Sequence, residues 1–127
     1  MSGKALIITD GTDHIQSIAQ SISEELTGYE VKTCPAEKFE GTDLLPADIF
    51  FIGCENPEPS SFSYLEDMLT HINLASRKCG IFSVNENALK YLSGILKDCE
   101  TNLIEPFLVE NAKADKAAVK NWLKGMV

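Results

Sequence analysis

Ile49-Phe50-Phe51-Ile52-Gly53 is a five-residue run without a charge or a side-chain polar group. It is too short for a helix of its own. Apolar–polar alternation disappears from a strand only when neither of its faces meets water, and that condition belongs to the middle of a parallel sheet covered by helices above and below. The run therefore predicts a central strand. Ala5-Leu6-Ile7-Ile8-Thr9 before it and Gly80-Ile81-Phe82-Ser83-Val84 after it share the character. Tyr29-Glu30-Val31-Lys32-Thr33 differs, because apolar or β-branched residues alternate with charged ones; one face is wet and the strand belongs at a sheet edge. Leu103 to Val109 contains Glu105 and Pro106, and a proline donates no ladder N–H, so this fifth strand is placed at the other edge.

Between the strands the apolar period becomes helical. Ile15, Ile18, Ala19, Ile22 and Leu26 form one stripe from Thr12 onward, with Gly28 placed to close the helix. Phe62, Leu65, Met68, Leu69 and Ile72 form a second stripe, and Ala88, Leu92, Ile95, Leu96 and Cys99 a third. A last helix from near Lys113 is expected to bury Ala118, Trp122 and Met126. Between Cys34 and Pro46 only Phe39, Leu44 and Leu45 can anchor the chain, which leaves room for a short helix at most. Strict alternation of strand and helix, right-handed crossovers and two edge strands give one domain over residues 1–127. Its fold class is α/β, a single doubly wound five-stranded parallel sheet of order 2-1-3-4-5 with helices on both faces. In that order the chain reverses direction between strands one and three, and a ligand crevice opens at the C-terminal ends of the strands.

The chain has 127 residues, 19 acidic against 11 basic, a net charge of −8 and 44% hydrophobic residues. A chain of this length buries a core without needing a disulfide or a metal. Residues 1–75 hold 13 acids against three lysines, whereas residues 76–127 hold six acids against eight bases. A nucleic-acid backbone would be repelled by most of this surface. No run approaches the ~18 apolar residues of a membrane span, and Met1-Ser2-Gly3-Lys4 lacks the apolar segment of a secretion signal. The expectation is a cytoplasmic, acidic protein that binds neither nucleic acid nor membrane. Cys34, Cys54, Cys79 and Cys99 form no C-x-x-C pair, so no metal site is assigned. They read as buried thiols, except that Cys54 leaves the central strand at the mouth of the crevice.

The loop after strand one, Thr9-Asp10-Gly11-Thr12-Asp13-His14, runs into the N-terminus of the first helix, where free N–H groups and the helix dipole favour an anion. Thr9, Gly11 and Thr12 suit a phosphate. Asp10 and Asp13 put negative charge beside it. Asp13 also reads as an N-cap, with Gln16 closing a capping box. His14 is placed to pair with a carboxylate or to counter an anion. After strand three, Cys54-Glu55-Asn56-Pro57-Glu58-Pro59 is a stiff polar loop of the kind that carries function. Behind it, Phe62 fits the core stripe and Tyr64 lies off it, placed to stack on a ligand. Asn85-Glu86-Asn87 follows strand four, and its asparagines read as helix caps. No nucleophile elbow or serine–histidine partnership is present, and no catalytic residue is assigned.

Order of elements, length and local phrases together resemble the flavodoxins over essentially the whole chain. Ala47-Asp48-Ile49-Phe50-Phe51-Ile52-Gly53-Cys54 is similar to that family's third strand and its exit, and Glu105-Pro106-Phe107-Leu108-Val109 followed by a helix bearing Trp122 is similar to its last strand and helix. The resemblance implies flavin mononucleotide (FMN) at the C-terminal ends of strands one, three and four, and an electron carrier rather than a catalyst. It implies Thr9, Gly11, Thr12 and the amide of Asp13 at the phosphate, Cys54, Glu55 and Asn56 beside the flavin ring, and Asn85 and Glu86 from the third loop; Asp10 and His14, in the same loop as the phosphate residues, complete the candidate cofactor site. The acidic N-terminal part would face a basic redox partner protein.

The family's phosphate loop reads close to T-x-T-G-N-T. Here only Gly11 and Thr12 match it well, Asp10 replaces a hydroxyl-rich residue and Asp13 stands where Asn or Thr is expected. The short loop after strand four also carries none of the family's aromatics. These departures support an alternative, a flavin-free module of the same fold that binds a protein partner or another small anion at the same crevice. A response-regulator receiver fits worse: Glu55 stands near its phosphoryl acceptor and Glu105 replaces its lysine, so phosphoryl chemistry is not expected.

Overall fold

The computed structural model describes residues 3–38, 40–44, 46–71, 77–97, 101–109 and 115–125. In it the run Ile49–Gly53 is strand β3, buried at every position. It lies between β1 (Gly3–Thr9) and β4 (Lys78–Ser83), parallel to both, with Ala5 opposite Ile49 and Ile49 opposite Lys78 at one end, and Thr9, Gly53 and Phe82 in register at the other. β2 (Tyr29–Pro35) pairs with the outer side of β1 and keeps Glu30, Lys32 and Thr33 exposed. The strand order is β2-β1-β3-β4-β5, as the sequence predicts.

The far edge is divided where one strand was expected. β5 (Asn102–Leu103) pairs with Lys78–Cys79 and β6 (Phe107–Leu108) with Phe82–Ser83, both parallel to β4. Pro106 supplies the reason, since it has no N–H to offer the ladder. The Ile104 N–H still reaches the Cys79 carbonyl at 3.1 Å, and the Val109 N–H reaches that of Ser83 at 2.8 Å. Between them the Glu105 carbonyl is taken by the Trp122 indole N–H at 2.6 Å. The indole thus stands in for a ladder partner across the gap.

Two helices cover each face. α1 (Asp13–Glu25) and α5 (Lys116–Leu123) lie over Ala5, Ile7, Ile49 and Phe51; α3 (Ser63–Leu69), entered through a short 3₁₀ turn, and α4 (Glu86–Leu96) lie over Leu6, Ile8, Phe50 and Ile52. The side-chain period of two sends consecutive residues of β1 and β3 into opposite cores. α1 buries Ile15, Ile18, Ala19 and Ile22, and Leu26 is buried just past its end. Gly28 adopts φ +86° as the chain turns back into β2, a left-handed conformation suited to glycine. Phe62, Leu65 and Leu69 are buried, as are Ala88, Leu92 and Leu96. Among the described residues, the β2–β3 crossover holds the short helix α2 (Gly41–Leu44).

The last helix departs from expectation. It buries Val119 and Leu123 while Ala118 is exposed, because the Trp122 ring is directed at the sheet edge, tilted on Phe51 and stacked on Phe107. Phe39, Leu45, Ile72, Cys99, Lys113, Met126 and the side chain of Leu44 lie outside the described residues.

Two glycines admit the large rings. A Cβ on Gly53 would overlap the Phe82 ring, and one on Gly80 would lie 2.8 Å from the Trp122 ring and 2.9 Å from Phe51. Gly53→Ala should therefore cost about 1–3 kcal/mol in urea unfolding, the usual range for overpacking. In hydrogen exchange the β3 amides should be the slowest, well behind those of Tyr29–Thr33; the reverse order would contradict the sheet described here.

Candidate functional site

β1, β3 and β4 end side by side, and the ends of β1 and β4 carry the two buried polar residues among the described ones, Thr9 and Ser83. Both hydroxyls tie loops. The Thr9 hydroxyl accepts the Gly11 N–H at 3.3 Å and donates to Gln16 Oε1 at 3.3 Å. Ser83 Oγ donates to the Cys54 carbonyl at 2.6 Å and accepts the Asn85 N–H at 3.0 Å, joining the exits of β3 and β4.

Asp10 is the hub of the first loop. Its Oδ1 accepts the Thr12 N–H at 3.1 Å and the Thr12 hydroxyl at 2.8 Å, while its Oδ2 accepts the Glu55 N–H at 2.7 Å. A single carboxylate thus joins the loops after β1 and β3. His14 adds a second tie, Nδ1 to Glu55 Oε1 at 2.9 Å, with both side chains partly exposed.

The expected capping box does not form. Gly11 turns the chain at φ +82°, and Thr12 is the N-cap, with extended backbone. Asp13 is consequently the first helical residue, exposed, where its charge favours the helix dipole. Gln16 gives its backbone N–H to the Thr12 carbonyl at 2.9 Å, and its side chain serves Thr9 instead of a cap.

Cys54 continues the alternation of Phe50 and Ile52 and enters the same core, where it is fully buried. Burial, then the Asp10 carboxylate, pushes its thiol up to about 12. The sulfur is thus turned away from the crevice, and its carbonyl is held by Ser83. Beneath the same loop, the Tyr91 ring lies 6.4 Å from that of Phe62; burial first, then Glu66, raises its phenol.

Glu55 is half-buried and Asn56 exposed; Glu58, between Pro57 and Pro59, adopts φ +49°, a left-handed conformation uncommon for a residue with a side chain. Tyr64 is exposed in the first turn of α3, off its buried stripe. Asn85 caps α4, its side chain accepting the Asn87 N–H at 2.9 Å, and Glu86 is exposed in the first turn.

The structure therefore brings Thr9, Asp10, Gly11, Thr12, His14 and Glu55 into one hydrogen-bonded cluster, to which Cys54 and Asn85 connect through Ser83. Asp13, Asn56 and Glu86 flank it. Ser83 escaped the sequence reading as a site residue, although a hydroxyl closing an apolar strand, as Thr9 also does, is a visible signal; Gln16 was expected to close a cap and instead accepts the Thr9 hydroxyl. Among the described residues no three His, Cys, Asp or Glu side chains gather as a metal site, and no helix is long and apolar enough to cross a membrane.

A 2-1-3-4-5 parallel sheet covered by helices on both faces is the flavodoxin-like α/β fold. Solved flavodoxins superpose on nearly the whole chain. Oxidised flavodoxin 2 from Bacillus cereus gives a TM-score of 0.78 at 22% identity, covering 97% of this chain and 94% of that one. A short-chain flavodoxin associated with a non-canonical PDU bacterial microcompartment gives 0.77 at 14% identity, covering 98% and 95%. The flavodoxin of Streptococcus pneumonia TIGR4 gives 0.78 at 14% identity, covering 98% and 94%. No protein-family model matches the sequence, and no curated protein matches it.

The donor set does not fit the phosphate of FMN as folded. The Thr12 N–H, the Thr12 hydroxyl and the Glu55 N–H all point at Asp10.

The buried Cys54 thiol should resist iodoacetamide in the native protein and react after unfolding in urea, which mass spectrometry distinguishes. Its folded pKa of about 12 lies above the ordinary value of 9.0. The contribution of this thiol to stability is thus fully present below pH 9 and is lost as pH rises from there towards 12, because the unfolded chain loses the proton first. Cys54→Ala should flatten that alkaline slope in urea midpoints measured against pH.

Proposed function

We propose that the chain is a single-domain, flavodoxin-like electron-transfer protein of the cytoplasm, holding a flavin at the C-terminal ends of β1, β3 and β4. The superposition of nearly the whole chain on flavodoxins is the observation that carries this reading. FMN is the flavin that the resemblance implies, and a bound flavin would supply the redox chemistry.

The chain's own residues supply the frame. Asp10 and Ser83 fix the loops relative to one another, and Thr9 braces the first loop against α1, so that the backbone of Cys54, Glu55 and Asn56 and the capping residue Asn85 are preorganised beside a ligand. His14 and Glu55 stand together at the head of α1, and Glu86 borders the third loop. The acid excess of residues 1–75 would steer a basic partner protein and accelerate its encounter, an effect that salt weakens. A flavin-free module that binds a protein partner or another small anion is the second reading; the Asp10 carboxylate, already holding the Thr12 and Glu55 donors, favours its protein-partner form.

Titration of FMN with the protein, followed by flavin fluorescence quenching, separates the two. Saturable quenching with a dissociation constant of order 1–100 µM is expected, weaker than a free set of phosphate donors would give. Absence of saturation up to about 1 mM, with circular dichroism showing a folded chain, would reject FMN as the ligand.

A further inference from the structure

We infer that Asp10 is the specificity-determining residue of the crevice: its carboxylate fills the anion position at the head of α1 from within the chain, so that the site selects against phosphorylated ligands and takes riboflavin at least as well as FMN. The choice between flavins rests on the flavin reading above. The internal filling of the anion position stands apart from it.

A phosphate at the head of a helix is held by N–H and O–H groups aimed at one point outside the first turn. Here such donors come from two loops, the Thr12 N–H and hydroxyl at 3.1 and 2.8 Å and the Glu55 N–H at 2.7 Å, and they converge on Asp10. A carboxylate offers about four lone-pair sites, so three of them are engaged, in charge-assisted bonds that are stronger than neutral ones. An incoming phosphate has to expel this carboxylate from all three donors. The displaced charge stays on the same short loop, where repulsion from a dianion opposes binding, and exposed Asp13 adds to it.

Displacement also unlinks the loops after β1 and β3, leaving His14 and Glu55 to hold them. A neutral ligand lying against the strand ends requires none of these changes. The discrimination therefore acts against the phosphate group, and no contact to the flavin ring enters it.

Wild type, Asp10→Ser and Asp10→Asn are compared in two arms, flavin fluorescence quenching with riboflavin and with FMN, and thermal unfolding in inorganic phosphate against sodium chloride of equal ionic strength. Serine shortens the side chain and vacates the donors. Asparagine keeps the size without the charge and serves if the serine variant does not fold.

Wild type should bind riboflavin at least as tightly as FMN. The variant should bind FMN about tenfold tighter than wild type while riboflavin changes by less than about threefold, and phosphate should stabilise the variant alone. Wild type preferring FMN by about tenfold or more would overturn the inference, as would phosphate stabilising wild type equally, or failing to stabilise a folded variant. If no protein binds either flavin, the flavin reading fails, and the phosphate arm alone decides whether Asp10 occupies the anion position.

Discussion

Every residue of β3 is shielded from water, and a strand in that position has to be flanked by strands on both sides and covered by helices above and below. Its amides pair with β1 and β4, and its alternate side chains enter two separate cores. The cores in turn dictate the apolar stripes of α1 and α5 on one face and of α3 and α4 on the other. Because all strands are parallel, the loops leaving β1, β3 and β4 emerge at one end. The position of the candidate site is therefore a consequence of burying five residues.

Polar groups brought to that end carry a desolvation cost unless they are satisfied. Thr9 and Ser83 are fully buried, yet each hydroxyl is engaged, Thr9 by Gly11 and Gln16 and Ser83 by Cys54 and Asn85. Asp10 performs the same service with a charge. The result is a set of loops cross-braced by short side chains. Preorganisation and accessibility are in opposition here. The interactions that hold the loops in place use the groups that would otherwise recognise an anion.

Much of the architecture was legible because burial is written in the period of the sequence. Ile49–Gly53 lacks alternation and is central; Tyr29–Thr33 has it and lies at an edge; α1 shows a stripe buried as expected. Pro106 marks the other edge, and its missing N–H interrupts the ladder there; what the sequence does not show is that an indole N–H from a distant helix takes the Glu105 carbonyl in the gap. Ala118 was read as buried for the same reason: the turn of α5 is set by where the Trp122 ring can lodge, at Gly80 and Phe107. At the site, the loops were identifiable from composition, but the direction of each side chain was not. Whether Asp13 or Thr12 caps α1 turns on one extended residue, and whether the Cys54 sulfur faces crevice or core turns on a strand parity continuing one residue past its hydrogen bonds.

Trp122 is the sole tryptophan of the chain. Its ring stacks on Phe107 at 4.7 Å between centroids, and its N–H is held by the Glu105 carbonyl at the divided edge. Ultraviolet emission from this protein is consequently a local optical gauge of how α5 sits on the β5–β6 side of the sheet. Loosening of that edge can therefore be timed in solution without attaching a label.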